Sequence, residues 1–156
     1  MISIDIPEYK KIEAAHLVLD YNGTMAISGI LIEGIKPILE MLSSKLIIHI
    51  LTADTFETAK KELSGINCKL EVLSPGLQDM QKELYIFNLG EENVISIGNG
   101  MNDYLMLKAA ALGIAVIQKE GTAIKALLNA DIVCNSILDA LELLLYPERI
   151  VATLRI

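Results

Sequence analysis

Short apolar runs alternate along this chain with segments in which apolar residues recur three or four positions apart. The runs, each of strand length, cover 16–20, 46–51, 70–73, 94–97, 114–117 and 132–134. The segments of helical spacing between them cover 34–42, 55–63, 77–89, 103–111 and 122–129. This alternation is typical of βαβ units, which bury a parallel sheet under helices on both faces. The sequence therefore predicts a three-layer α/β/α fold with a mostly parallel sheet.

The two ends of the chain add elements to this pattern. Residues 2–6 and 11–15 predict a short N-terminal strand or hairpin, and 137–145 and 148–156 predict further helical segments. Ser136 and Thr55 stand where helices are expected to begin, and both residue types cap free N–H groups there. The 156 residues contain no linker, repeat or low-complexity segment, so we expect a single domain spanning 1–156.

Polar, turn-forming residues follow three of the predicted strands at the point where each strand ends. Asp20 ends the first strand, Thr52 and Asp54 follow the second, and the loop 98–103 follows the fourth. In open parallel sheets, ligands bind outside the carboxyl ends of the strands, near the switch in strand order. Because loops on this edge can meet in space, we expect these residues to form one site.

The segment Asp20-Tyr21-Asn22-Gly23-Thr24 offers a candidate nucleophile. A carboxylate at a strand tip can attack phosphorus when a cation screens its repulsion from phosphate. Gly23 permits a tight turn, and Thr24 can steady the loop. The alternative is a plain Asx turn at the end of a strand.

Two further segments offer phosphate ligands. The Thr52 hydroxyl and the backbone N–H of Ala53, at a helix start, can hold phosphate oxygens, although the same residues suit an ordinary helix cap. Lys82, on the helix before the strand at 94–97, is the candidate to balance phosphate charge. Spacing alone does not select it from the lysines that compete with it, and most lysines are solvated surface residues. The competing residues are Lys60, Lys61, Lys108 and Lys119.

The loop 98–103 reads GNGMND and joins a predicted strand to a predicted helix. Oxygen-rich side chains in a glycine-permitted turn suit Mg²⁺, with Asp103 supplying charge and the amide oxygens of Asn99 or Asn102 ligating or orienting. The alternative is a glycine-rich turn in which Asp103 caps the following helix.

Taken in order, these segments resemble the motifs of the haloacid dehalogenase superfamily. LVLDYNGT is similar to a strand ending in DxDGT or DKTGT, ILTADT to a strand ending in Ser or Thr, and GNGMND to a GDxxxD or GDGxND loop. The run GNGMNDYLMLKAAALGIAV also resembles the catalytic domain of P-type ATPases, and DxNGT combined with GNGxND resembles the soluble P-type ATPase-like phosphatases. The resemblance covers roughly residues 14–135 and implies a Rossmann-like phosphohydrolase.

Carried onto matching positions, the resemblance implies a role for each candidate. Asp20 would be the nucleophile that becomes a phospho-aspartate, Thr52 would bind the phosphoryl oxygens, and Lys82 would neutralise phosphate charge. The implied Mg²⁺ ligands are Asp20, the backbone carbonyl of Asn22, Asn99 and Asp103.

Two amides stand where the superfamily usually has carboxylates. An Asp two residues after the nucleophile protonates the leaving group and later activates water, and Asn22 can do neither near neutral pH. Losing a positioned acid or base typically costs on the order of 10²–10⁴ in rate. Asn99 removes a formal charge from the metal site, which weakens Mg²⁺ binding. Slow dephosphorylation is therefore expected.

The intervals between motifs leave no room for a cap domain. Asp20 and Thr52 are 32 positions apart, and Thr52 and Lys82 are 30 apart, so each interval is about filled by one helix with its adjoining strand or turn. The site is expected to be open unless a second subunit covers it. The apolar segment 25–33 is either a flap that packs on a neighbour in a homo-oligomer or an ordinary buried hairpin.

Composition argues against several classes of function. The net charge of −7, without a run of Lys or Arg, disfavours nucleic-acid and anionic-membrane binding. Short, charge-interrupted apolar stretches and the absence of a secretory signal predict a cytoplasmic protein without a membrane span. Cys68 and Cys134 lack metal-site spacing and are expected to be buried free thiols. His16 and His49 lie in apolar stretches and are expected in or near the core.

Two functional hypotheses follow. The first is a Mg²⁺-dependent phosphatase acting through a phospho-aspartate at Asp20 on a phosphate ester, either a small molecule or a group on something larger. The second, motivated by Asn22 and Asn99, is a weakly active or inactive phosphoryl-binding module that regulates a partner.

Overall fold

The computed structural model describes residues 1–53 and 56–156. Helices and strands follow one another along the chain in a regular alternation after an N-terminal hairpin. They are β1 (Ile2–Ile6), β2 (Lys10–Ala14), β3 (His16–Asp20), β4 (Ala26–Ile27), β5 (Ile30–Leu31), α1 (Ile35–Ser43), β6 (Ile47–Thr52), α2 (Phe56–Glu62), β7 (Lys69–Val72), α3 (Gln78–Leu89), β8 (Val94–Gly98), α4 (Tyr104–Ala109), β9 (Leu112–Val116), α5 (Ile124–Asn129), β10 (Ile132–Cys134), α6 (Ile137–Leu145) and α7 (Glu148–Leu154).

Six strands form one sheet in the order β10-β9-β8-β3-β6-β7, and all neighbours run parallel. The chain starts the sheet at β3, adds β6 and β7 on one side, and then crosses back to add β8, β9 and β10 on the other. The strand order therefore reverses between β3 and β8, which is where open parallel sheets bind ligands. The predicted α/β fold with a mostly parallel sheet is confirmed.

Alternating side chains of the strands pack into two separate helical layers. Leu17 and Leu19 of β3 belong to the core that includes α1, α2, α6 and α7. Val18 points the other way and packs with Ile86 of α3 and Met106 of α4. Because successive strand residues face opposite sides of a sheet, this alternation produces the three predicted layers.

Most predicted elements are present, with shifts of at most two residues at their ends. The second strand of the sheet begins after Leu46, because the Leu46 N–H donates to the Leu42 carbonyl and stays in the turn after α1. Helix α3 begins after Leu77, whose φ of 49° is left-handed. Helix α4 is shorter than predicted, because Asp103 lies in a 3₁₀ turn and Ala110 is extended.

The remaining ends of strands and helices also differ slightly from the predicted ones, because a strand or helix hydrogen bond is lost or gained there. The strands predicted at 11–15, 70–73 and 114–117 are β2, β7 and β9, and the helices predicted at 34–42, 122–129 and 148–156 are α1, α5 and α7. Ser136 caps α6 as predicted, with its Oγ accepting from the Asp139 N–H at 3.1 Å. Asp54 and the predicted cap Thr55 lie outside the described residues.

Two antiparallel hairpins flank the sheet. Strands β1 and β2 pair from Ile2–Ala14 to Ile6–Lys10, and β4 pairs with β5 within the predicted 25–33 segment. In the described part of the chain, the elements between β3 and α3 are this second hairpin, α1, β6, α2 and β7. No cap domain is inserted among them. Among the helices described, none is both long and apolar enough to cross a bilayer.

Candidate active site

The parallel register brings the predicted site residues to one edge of the sheet. Asp20, the last residue of β3, pairs with Leu51, so Thr52 lies one position further along β6. On the other side of β3, Leu19 pairs with Ile97, which places the loop after Gly98 beside the Asp20 loop. The candidate residues therefore lie at the switch in strand order, where open parallel sheets bind ligands.

Lys82 connects the two carboxylates of this site. Its Nζ donates to Asp20 Oδ1 and to Asp103 Oδ1, each at 2.6 Å. Lys82 and Asp103 are 0% exposed and Asp20 is 6% exposed. Lys82 and Ile86 lie four residues apart on α3 and are both buried, so they share one helix face. Ile86 packs against the sheet, and the same face brings the Lys82 ammonium to Asp20 and Asp103.

The charges in this cluster shift one another's protonation. Burial raises the pKa of Asp20, the negative charge of Asp103 raises it further, and Lys82 and the Thr24 hydroxyl limit the rise. Burial by itself would lower the pKa of Lys82, but the charges of Asp20 and Asp103 outweigh it and raise this pKa above its usual value. Lys82 therefore stays protonated beside the two carboxylates.

Thr24 and Asn99 complete the contacts of Asp20. The Thr24 Oγ1 lies 3.0 Å from Asp20 Oδ2 and 3.2 Å from Asn99 Oδ1, so its hydroxyl proton is shared between them. Asn99 Nδ2 donates to the Gly121 carbonyl at 3.0 Å. Gly23 has a φ of 82°, and a Cβ there would lie 2.6 Å from Asn99 Nδ2. The turn after Asp20 thus requires glycine for both its conformation and its closeness to Asn99.

Asp103 holds the loop 98–103 in shape. Its Oδ2 accepts from the N–H of Asn99 at 2.9 Å and of Gly100 at 2.7 Å, while its Oδ1 accepts from Lys82. A Cβ on Gly98 would lie 2.6 Å from the Asp103 side chain. The loop is therefore folded around a fixed, buried carboxylate.

The structure brings together some of the predicted residues and leaves others at the rim. Asp20, Lys82, Asn99 and Asp103 form one contiguous cluster, and Thr52 is buried at the end of β6. Asn22 and Ala53 are exposed at the mouth. The competing lysines all have exposed side chains, so the tertiary structure selects Lys82: they are Lys60, Lys61, Lys108 and Lys119.

The donor set fits a hard divalent cation. Asp20 and Asp103 supply two carboxylates, and Asn99 and the backbone of Asn22 supply carbonyl oxygens, the ligand type that Mg²⁺ prefers. Within the described residues, no three His, Cys, Asp or Glu side chains cluster closely enough to hold a metal by themselves. A cation here would therefore depend on amide and backbone oxygens and on water as well as on the two carboxylates.

Two features of the molecule were not assigned from the sequence. His16 Nδ1 lies 3.0 Å from His49 Nε2, and His49 Nδ1 lies 2.8 Å from the Tyr85 hydroxyl, so the core histidines form a chain that reaches α3. Gln118, just past the end of β9, contacts the loop that follows Asp20. The reasoning that identifies Asp20 and Thr52 from strand ends applies equally to Gln118, so its position after a strand is the signal that could have found it.

Solved structures share this architecture. A 3-deoxy-D-manno-octulosonate 8-phosphate phosphatase from Moraxella catarrhalis, in complex with a magnesium ion, a phosphate ion and KDO, is similar with a TM-score of 0.67 and 16% identity, covering 91% of this chain and 94% of that one. The cobalt-bound deoxy-D-mannose-octulosonate 8-phosphate phosphatase from Haemophilus influenzae gives a TM-score of 0.69 and 12% identity, covering 88% and 90%. At these identities the likeness shows the fold.

A sequence model of the haloacid dehalogenase-like hydrolases matches residues 74–137, which include Lys82 and the loop 98–103. Over this segment the chain is similar to the haloacid dehalogenase-like hydrolases. An uncharacterized protein of Methanocaldococcus jannaschii is 46% identical to this chain over 84 residues, which is 51% of this chain and 90% of that protein. A zinc-transporting PIB-type ATPase is 25% identical with a TM-score of 0.62, covering 78% of this chain and 20% of that one.

Proposed function

We propose that this haloacid dehalogenase-like protein is a Mg²⁺-dependent phosphatase that works through a phospho-aspartate at Asp20. The observation that carries the proposal is the buried Lys82 ammonium donating to both Asp20 and Asp103 at the switch in strand order. A structural ion pair needs one carboxylate, whereas this buried cluster has one more carboxylate than ammonium, a charge imbalance that favours a divalent cation beside Asp20. Similarity to the octulosonate 8-phosphate phosphatases supports the same reaction class.

In the proposed reaction, an Asp20 carboxylate oxygen attacks phosphorus and the bond from phosphorus to the ester oxygen breaks. The Thr52 hydroxyl and the Ala53 N–H bind the phosphoryl oxygens, and Lys82 offsets their charge. Asp20, Asn99, Asp103 and the Asn22 carbonyl are the residues that would hold Mg²⁺. When bound, the ion screens the repulsion between phosphate and carboxylate.

Asn22 makes slow turnover part of the proposal. Its amide cannot give a proton to the departing ester oxygen, so this oxygen takes a proton from water, and the water that later attacks the phospho-aspartate loses its proton to solvent. The Asn22 side chain is exposed, which leaves room for water at this position. The combination of DxNGT with GNGxND resembles the soluble P-type ATPase-like phosphatases, the subgroup in which we place the chain.

The substrate we propose is a phosphate ester, of a small molecule or of a phosphorylated group on a larger one, met in the cytoplasm. No cap is inserted among the described residues, and Asn22 and Ala53 are exposed beside the buried cluster, so we propose that the substrate approaches from their side. Neither nucleic acid nor a membrane surface is proposed as a partner, in view of the net charge of −7.

The test is phosphate release from a panel of phosphate esters, with and without Mg²⁺. We expect release that depends on Mg²⁺ in the wild type and is lost in Asp20→Asn, which keeps the size of the side chain but removes the nucleophile. Asp5→Asn, an exposed position on β1, is the matched control and is expected to match the wild type. Release that persists in Asp20→Asn would contradict the proposal.

A second function is favoured by the exposed amide at Asn22, namely a phosphoryl-binding module that regulates a partner. In that case the protein would acquire a phosphoryl group on Asp20 from acetyl phosphate and keep it, with little release of inorganic phosphate. Trapping of the acyl phosphate by hydroxylamine, followed over time, distinguishes rapid turnover from a persistent phospho-aspartate.

A further inference from the structure

Gln118 has an unusual backbone conformation at the catalytic edge of the sheet. It lies two residues after the end of β9, with a φ of 46° in the left-handed region that non-glycine residues rarely adopt. Its backbone N–H donates to the Asn135 carbonyl at 3.0 Å. A residue held in such a conformation near a site is a candidate for a functional role.

The side chain of Gln118 joins two loops that are far apart in sequence. Both hydrogens of its Nε2 are used, because this atom donates to the Gly23 carbonyl at 2.9 Å and to the Thr24 carbonyl at 2.7 Å. Its Oε1 accepts from the Ile137 N–H, the first residue of α6, at 2.8 Å. Gln118 thus fastens the loop after Asp20 to the start of a core helix.

This contact reaches the candidate nucleophile through one residue. The Thr24 backbone is held by Gln118, and the Thr24 hydroxyl contacts Asp20 Oδ2 at 3.0 Å. The opposite oxygen of Asp20 is held by Lys82. The orientation of the carboxylate is therefore set by Lys82 on one side and by Thr24, through Gln118, on the other.

Neighbouring contacts show that this side of the site is assembled from the segment after β9. The Gly121 carbonyl accepts from Asn99 Nδ2, and Glu120 Oε1 accepts from the Ser28 N–H of the β4–β5 hairpin. Among these contacts, Gln118 makes those that reach the turn directly after Asp20.

We infer that Gln118 is a positioning residue, which fixes Gly23 and Thr24 so that the Thr24 hydroxyl orients Asp20 for attack on phosphorus. The inference rests on the proposed phosphatase function for its catalytic consequence. The structural part, that Gln118 holds the loop, stands by itself and is tested separately.

The decisive variant is Gln118→Glu. It keeps the side-chain length and the acceptor for the Ile137 N–H, but it places a carboxylate oxygen against the Gly23 and Thr24 carbonyls. Gln81→Glu is the matched control, because Gln81 Nε2 also donates to two carbonyls, those of Ser74 and Gly76, on a different loop. Gln118→Met, which removes both donor and acceptor without adding charge, serves as the second variant.

For Mg²⁺-dependent hydrolysis of para-nitrophenyl phosphate, we expect both Gln118 variants to lower kcat by about tenfold or more, with KM changed by less than about twofold. Gln81→Glu is expected to keep the wild-type kcat. Combining Gln118→Glu with Thr24→Val should give no larger loss than Thr24→Val alone, because the two residues act in series. An unchanged kcat, or losses that multiply in the double variant, would overturn the inference.

Amide hydrogen exchange without substrate decides the structural part. We expect amides 21–26 to exchange about tenfold faster or more in Gln118→Glu, and at the wild-type rate in Gln81→Glu. Unchanged exchange in Gln118→Glu overturns the inference whatever the activity. If exchange responds but the wild type releases no phosphate, the proposed function fails while the positioning of the loop stands.

Discussion

Lys82 is out of contact with solvent, and its ammonium faces the carboxylates of Asp20 and Asp103. Taking three charges out of water is costly, and their attraction offsets this cost only while all of them remain. The cluster carries one more negative than positive charge, so it favours the approach of a further cation. A buried arrangement of this kind is maintained for function more readily than for stability.

The first prediction concerns the loss of this cation. At pH 8 in EDTA, Lys82→Met is expected to lower the free energy of unfolding by about 3 kcal/mol or more, because two buried carboxylates are left without a compensating positive charge. Adding Mg²⁺ should recover part of the loss, since a cation that binds only the folded state stabilises it. Urea denaturation followed by circular dichroism measures both effects, and Lys108→Met, an exposed position, is the control. Equal stability of the two variants in EDTA would contradict the prediction.

The second prediction concerns the missing acid and base. Asn22→Asp is expected to raise kcat, by on the order of 10² if protonation of the leaving group or activation of water limits the rate. The exposed side chain makes the substitution compatible with the fold. Steady-state release of phosphate is the measurement. A folded Asn22→Asp variant with unchanged or lower kcat would show that Asn22 does not limit turnover.

The third prediction concerns Asn99, the second amide at a position where a carboxylate was expected. Asn99 Nδ2 donates to the Gly121 carbonyl, a contact that a carboxylate cannot make. Asn99→Asp would therefore add charge to the cation site while setting an oxygen against this carbonyl. We expect tighter Mg²⁺ binding by isothermal titration calorimetry together with a lower Tm in EDTA. A variant with wild-type Tm in EDTA would show that the Gly121 contact contributes nothing.

At the scale of elements, helix α4 lies unusually close to strand β9. A Cβ on Gly113 would lie 2.2 Å from the Leu107 carbonyl oxygen, so only glycine allows the helix to pack there. Gly113→Ala is expected to lower the free energy of unfolding by about 3 kcal/mol, because backbone atoms must move. Gly65→Ala, which has open space but a φ of 84°, should cost only about 1 kcal/mol. Chemical denaturation compares them, and equal losses would refute the packing argument.

At the scale of the whole molecule, the histidine chain links the stability of the fold to pH. Burial, with smaller effects of His16 and Lys69, lowers the pKa of His49 from 6.5 to about 4. The unfolded chain therefore binds a proton between pH 6.5 and 4 that the folded chain does not, so stability decreases as pH falls through this window. Asp20, with its raised pKa, acts in the opposite direction.

The corresponding prediction compares the free energy of unfolding of the wild type with that of His49→Gln. The stability of the wild type relative to His49→Gln should increase from pH 4 to pH 6.5, by up to about 1.4 kcal/mol per pH unit. Subtraction removes the contribution of Asp20 and of other groups that do not contact His49. Urea denaturation at a series of pH values is the measurement, and a difference that does not vary with pH would refute the titration of His49.

Much of the fold could be predicted because its signals are local. The periodicity of strands and helices can be recognised in short segments of sequence, and the strand ends at Asp20 and Gly98 follow from it. Element boundaries were less accurate, since the end of β6 and the start of α3 depend on ladder partners and on the left-handed Leu77. The single-domain organisation and any homo-oligomer stay predictions.

By itself, the sequence determined the α/β class, the edge of the sheet that carries polar residues, and the candidacy of Asp20, Thr52 and Asp103. Only the tertiary structure decided that Lys82, among several lysines, reaches two carboxylates, and that Gln118 holds the loop after Asp20. The reason is physical: periodicity depends on neighbours along the chain, whereas contacts between distant residues depend on strand order and register. Those are fixed only when the whole sheet is assembled.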